Sequence, residues 1–288
     1  MKEIQGGLAN GLAGVIIFSG SLPATRVAVA ALSPLFLTGA RAVIAAVLAA
    51  MLLSVFRQPR PTRADLASLA IVAAGVVAGF PLLTALALQH VTSAHSIVFI
   101  GLLPLSTAIF GVLRGGERPR PAFWVFSSLG SALVAGFALA GNGGGISVAG
   151  DLLMLAAILL CGLGYAEGAR LSRKLGGWQV ICWALILAAP PMAVLAVVTL
   201  PADFTAVSGP AWAGLAYVSV FSMLIGFIFW YRGLAQGGIA AVGQLQLLQP
   251  FFGLLLAGAV LGEAVTPAML GATLGVVACV AAARRFAR

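Results

Sequence analysis

Apolar residues along this chain run on for 17 to 25 positions at a time and stop at clusters of charge, glycine and proline. They are continuous and do not alternate. Runs of that kind predict membrane-spanning helices rather than strands. Ten can be placed, at about 5–25, 33–56, 66–88, 91–113, 121–140, 150–170, 178–199, 210–231, 238–261 and 267–283. Each has the length needed to cross a hydrocarbon layer about 30 Å thick. Strands of a membrane barrel are shorter and alternate from lumen to lipid, so they are excluded. The predicted fold is an all-α membrane protein of ten transmembrane helices.

Composition agrees. Hydrophobic residues make up 61% of the 288 positions and charged residues only 8%, with mean hydropathy +1.11. A water-soluble domain carries about 25% charged residues, so lipid must solvate most of this surface. The net charge of +9 could point to nucleic acid, but the basic residues sit in short clusters between apolar runs and form no basic face. Those clusters set orientation instead. They are Arg57, Arg60 and Arg63; Arg114, Arg118 and Arg120; Arg170, Arg173 and Lys174; Arg232; and Arg284, Arg285 and Arg288. With Lys2 they put 14 of the 16 basic residues on one side, which predicts a cell inner (cytoplasmic) membrane location with both termini cytoplasmic. Lys2 before an apolar run, with Ala28-Val29-Ala30 beyond, imitates a signal peptide; Arg26 between them disfavours cleavage. Cys161, Cys182 and Cys279 all lie in apolar runs and match no metal spacing, so they read as small apolar residues.

Sliding the chain on itself by 146 positions brings Pro104 onto Pro250, Gly116-Glu117 onto Gly262-Glu263 and Pro121-Ala122 onto Pro267-Ala268. The first repeat then covers 1–140 (helices 1–5), 141–149 is a glycine-rich linker, and 150–288 is the second repeat (helices 6–10). Five helices per repeat force the second copy into the opposite orientation, giving inverted repeats around a central cavity, the architecture of alternating-access carriers. GNGGG at 141–145 has no Lys after it, so it is a linker and not a phosphate loop.

Five helices plus five, with a proline followed thirteen residues later by Glu in each half and SPLFLTGAR from Ser33 to Arg41, resemble the EamA family of the drug/metabolite transporter superfamily. That family includes amino acid exporters of the YddG type. The second copy has no matching Arg, with Ala184 nearby. The resemblance implies a cavity lined by helices 1, 3, 4, 6, 8 and 9, with 5 and 10 peripheral. It also implies export of small amphipathic metabolites, amino acids foremost. Nucleotide sugars or lipid carriers are the alternative, disfavoured because few Lys or Arg could face a phosphate. A membrane enzyme is the remote alternative: the carboxylates are scattered and there is no H-E-x-x-H or G-x-S-x-G.

Candidate cavity residues are Asn10, Phe80, Thr84, His95, Phe99, Tyr165, Phe227, Gln244, Gln246 and Gln249. Pro104 and Pro250 are candidate hinges near the middle of helices 4 and 9, each freeing the carbonyl four residues earlier, at Ile100 and Gln246. Glu167 is a carboxylate well inside a span; it is either a proton-coupling group or the partner of Arg170, three residues on. Arg41, close to the outer surface, is expected to snorkel or cap the cavity. Glu117 and Glu263 precede helices 5 and 10 and read as structural, complementing the helix dipoles. The expected partners are a small-molecule substrate, the bilayer and, as candidate coupling ion, the proton. No catalytic residue, cofactor, metal or nucleic acid is expected, and the chain is expected to be a monomer or dimer.

Overall fold

The computed structural model describes residues 2–115, 120–140, 147–237 and 244–286. Among them all regular structure is helical. In chain order the helices are α1 (Gly6–Val29), α2 (Pro34–Val55), α3 (Arg63–Ala87), α4 (Ser93–Leu113), α5 (Pro121–Leu139), α6 (Val148–Leu175), α7 (Gly177–Val198), α8 (Gly209–Leu234), α9 (Gln249–Leu261) and α10 (Pro267–Arg285). Seven of them, α1–α4 and α6–α8, are long and apolar enough to cross a membrane; α5, α9 and α10 contribute shorter apolar stretches. Large apolar side chains such as Val47, Leu129, Leu155, Val194, Leu255 and Leu274 face outward, as a lipid-solvated surface requires.

Polar residues at the ends of the runs close the helices. Ser33 accepts from the Phe36 amide ahead of Pro34, and Ser147 accepts from the Gly150 amide, each satisfying a first-turn donor. Thr62 donates through its amide and its hydroxyl to one Asp65 oxygen. Lys174 reaches that carboxylate from the end of α6 at 2.6 Å. Gln179 on α7 bonds Gln58 beyond α2, so this end of the bundle is tied across both halves of the chain.

Small residues let the backbones approach. A Cβ on Gly75 would stand 2.6 Å from the Leu160 carbonyl where α3 crosses α6. One on Gly233 would stand 2.7 Å from the Gly11 amide where α8 crosses α1. Close backbone crossing of this kind is how helices gain packing energy in lipid, where burial from water cannot drive it.

Five helices are irregular inside the bundle, and the first is α1, which is broken at Gly20 between the segments Lys2–Ser19 and Ser21–Val29. α3 winds as π-helix over Ala73–Gly79, and α8 does so over Tyr217–Ile225. α4 is broken between Ile100, where its first segment ends, and Leu103, where the second begins. α9 is entered through a 3₁₀ turn, Gln244–Leu248. Pro104 and Pro250 therefore do not kink continuous helices. Each stands within the first two residues of a new segment, where its missing N–H costs nothing.

Candidate functional site

The irregular stretches converge on one interior cavity. α3 supplies Val76 at its π-helical stretch, then Phe80 and Pro81, and α8 supplies Ser222 and Phe227. Ile100 and Leu103 flank the break in α4, and Gln249 opens α9. α1 adds Phe18, Ser21 and Leu22; α6 adds Cys161 and Tyr165; and α2 adds a single residue, Arg41. The helices expected to line the cavity are present, together with α2. Room for water in it is about 30 Å³, enough for roughly two or three molecules. A space of that size does not admit a metabolite in this conformation.

Its walls are aromatic. Phe18 meets Phe227 edge-on with ring centroids 5.0 Å apart, and Tyr165 meets Phe227 at 5.9 Å. Among these rings sits a small polar group. The Ser21 and Ser222 hydroxyls are hydrogen-bonded at 2.6 Å, and Arg41 Nη2 approaches Ser222 Oγ at 3.4 Å. Arg41 is only 4% exposed, and its Nε has no partner. The amide oxygen of Gln249 also lacks one. Snorkelling is therefore not what Arg41 does. It lies seven residues into α2, about 10 Å below the helix start, and is buried among the cavity walls.

Of the residues singled out from the sequence, Phe80, Tyr165, Phe227 and Gln249 are brought together here. The others are placed elsewhere. His95 is buried on α4, its Nε2 2.6 Å from Asp151 Oδ1 on α6, with its ring against Phe99 at 5.7 Å and Phe137 at 5.0 Å. Both His95 and Phe99 thus belong to a packed interface rather than the cavity wall. Thr84 turns its hydroxyl onto the carbonyls of Phe80 and Pro81 in its own helix. Asn10 donates to Gln236 at 2.8 Å, tying α1 to α8. Gln246 is buried in the 3₁₀ turn away from the cavity lining. The side chain of Gln244, and Glu117 altogether, lie outside the described residues. Glu167 is fully buried and paired with Arg170, which favours the local ion pair over proton coupling.

Glu263 departs furthest from expectation. It is structural, but it serves α4 and not α10. One carboxylate oxygen accepts from the Ser93 amide at 3.1 Å, and the other accepts from the Ser93 hydroxyl and the Ala94 amide, both at 2.7 Å. Arg26 makes a complementary tie nearby, donating from α1 to the Leu88 carbonyl at the end of α3.

Phe18, Ser21, Ser222 and Cys161 were not anticipated in the cavity. One signal was available for Ser222: it lies 146 positions after Val76, as Gln249 does after Leu103. Asp151 stands in the first turn of α6, where an acid is ordinary, so nothing local marked its pairing with His95.

Apolar helices of membrane length, broken or rewound where they meet an internal cavity, define a multi-pass membrane transporter. The chain matches the EamA-like transporter family twice, over residues 5–139 and 148–284, and belongs to that family. It is 67% identical to the uncharacterized transporter YdeK of Bacillus subtilis over 288 residues, the whole of both chains. It is 24% identical over 266 residues to a probable terminal-alkyne amino-acid exporter of Streptantibioticus cattleyicolor, covering 91% of this chain and 88% of that one. Its fold is similar to that of a solved crystal structure with TM-score 0.69 and 21% identity, covering 96% and 97% of the two chains.

Proposed function

We propose that this protein is a ten-helix, inverted-repeat carrier of the inner membrane, with cytoplasmic termini, that exports small amphipathic solutes, amino acids foremost, by alternating access. The observation that carries the reading is the cavity itself: apolar rings around a few hydrogen-bonding groups suit a solute with one polar and one apolar end.

Helix pairing supports the inverted repeat. α2 packs on α7 and α5 on α10, each on its own counterpart, and the α1–α8 pair is matched by α6–α3. The two π-helical stretches also correspond: a shift of 146 carries Ala73–Gly79 onto Ser219–Ile225, inside Tyr217–Ile225. Pro104 and Pro250 stand at the start of the segments Leu103–Gly115 and Gln249–Leu261, and they supply hinges about which one repeat rocks against the other. The distant Streptantibioticus relative is a probable terminal-alkyne amino-acid exporter, which favours amino acids here.

Cys161 offers a direct test, because it lines the cavity while Cys182 and Cys279 do not. In a variant retaining Cys161 alone, alkylation should block transport in proteoliposomes, and saturating apolar amino acids should slow that alkylation several-fold. Labelling that no amino acid slows, with no counterflow of any of them, would sink the proposal. Orientation is checked separately, with single cysteines on a cysteine-free background. Position 60 should react only from the cytoplasm and position 203 only from outside; the same side for both would overturn the inverted topology.

A further inference from the structure

Among the described residues that line the cavity Arg41 alone carries a full charge, and nothing described balances it. Among the described carboxylates, Asp65 is taken up by Lys174, Asp151 by His95, Glu167 by Arg170, Asp203 by Thr205, and Glu263 by the start of α4. The guanidinium is left with one long contact to Ser222 Oγ at 3.4 Å and an Nε with no hydrogen bond. A cation this deep in an apolar bundle without a counter-ion is unfavourable in the empty site. An entering anion would supply what is missing.

We propose that Arg41 anchors a substrate carboxylate, so that recognition by this transporter requires a free carboxylate on the solute. The inference rests on the carrier reading above and narrows its substrate class. A planar guanidinium fork matches a carboxylate with two parallel hydrogen bonds, and whichever of Ser21 and Ser222 accepts in their mutual hydrogen bond keeps its own O–H as a further donor. The unpartnered Gln249 oxygen lines the same cavity and takes an N–H donor carried beside the carboxylate. Phe18, Tyr165 and Phe227 then surround the apolar remainder. One arginine balances a monoanion and not a phosphate dianion, which sets a carboxylate ahead of a phosphate ester.

The test uses the full chain with Cys161 as its sole cysteine, reconstituted in proteoliposomes. Probes are L-leucine and L-phenylalanine, their methyl esters, 4-methylpentanoate, isoamylamine and inorganic phosphate. The two amino acids and 4-methylpentanoate should protect Cys161 from alkylation. The esters, the amine and phosphate should protect about ten-fold less or worse, the loss of a charge-assisted hydrogen bond. Arg41→Gln should remove the preference for the acids, while the melting temperature of the ligand-free protein stays level or rises, because an unbalanced buried charge has gone. Arg41→Lys, which keeps the charge but not the fork, should retain part of the preference.

A merely structural arginine predicts the opposite: a lower melting temperature in Arg41→Gln with the acid-over-ester preference intact, and that result overturns the proposal. Equal protection by acids and esters in the starting protein overturns it as well, while leaving the carrier reading standing. Failure of every probe, together with absence of counterflow, removes the carrier reading and this inference with it.

Discussion

Glu263→Ala is expected to destabilise the detergent-solubilised protein by about 3 kcal/mol. The carboxylate holds two backbone amides and one hydroxyl at the first turn of α4, at 3.1, 2.7 and 2.7 Å. Hydrogen bonds to a charged group contribute about 1.5–3 kcal/mol each, and the negative charge also complements the positive end of the α4 dipole. Water at the membrane surface recovers part of the loss, which brings the sum down to about the value of two such bonds. Glu263→Gln keeps one acceptor oxygen and should lose roughly half as much. Were the glutamate only complementing the α10 dipole, the cost would be about 0.3–1 kcal/mol. An equilibrium unfolding titration in mixed micelles separates the two, and a loss below 1 kcal/mol for the alanine variant refutes the cap.

His95→Ala should cost about 2–3 kcal/mol and leave solute preference unchanged. His95 is 1% exposed and Asp151 13%, so removing the ring strands the carboxylate of Asp151 where little water reaches it. It also opens a void beside Phe99 and Phe137. A histidine in the cavity wall would behave the other way, with stability kept and affinity for solute reduced about five-fold. Unfolding titrations and a competition profile across amino acids, run on the same preparation, decide the matter; a shifted profile with stability retained returns His95 to the substrate path. Because His95 and the residues held by Glu263 lie on one turn of α4, the double variant should lose less than the sum of the singles.

What could be read from the sequence follows from the solvent. Lipid demands long uninterrupted apolar runs, so helix positions were legible, and the 146-residue offset placed Pro104 and Pro250 at related breaks. The same uniformity hid the facing of each helix. An amphipathic helix announces its buried side by a stripe; the stretch of α3 around Phe80 and Thr84 is apolar on every side, so these two residues, four apart, looked equivalent although only Phe80 reaches the cavity. The π-helical stretches have no compositional signature, and they decide which side chains of α3 and α8 point inward. Of the two roles expected of Arg41, snorkelling fails because the residue's depth depends on where α2 begins, and Ser33 and Pro34 start it early enough to carry the residue two turns down. Glu263 was read against the helix next in sequence, whereas its partners lie 170 positions away.

That separation also has a bearing on biogenesis. At synthesis rates of about 5–20 residues per second, the first turn of α4 leaves the ribosome roughly 10 to 30 s before the glutamate that completes it. Over that interval the Ser93 and Ala94 amides rely on water or lipid headgroups at the membrane surface. The first turn of α4 thus reaches its final hydrogen-bonding state only after Glu263 has been made. The loop between α9 and α10 works as a late fastener, joining the end of the nascent protein to its beginning.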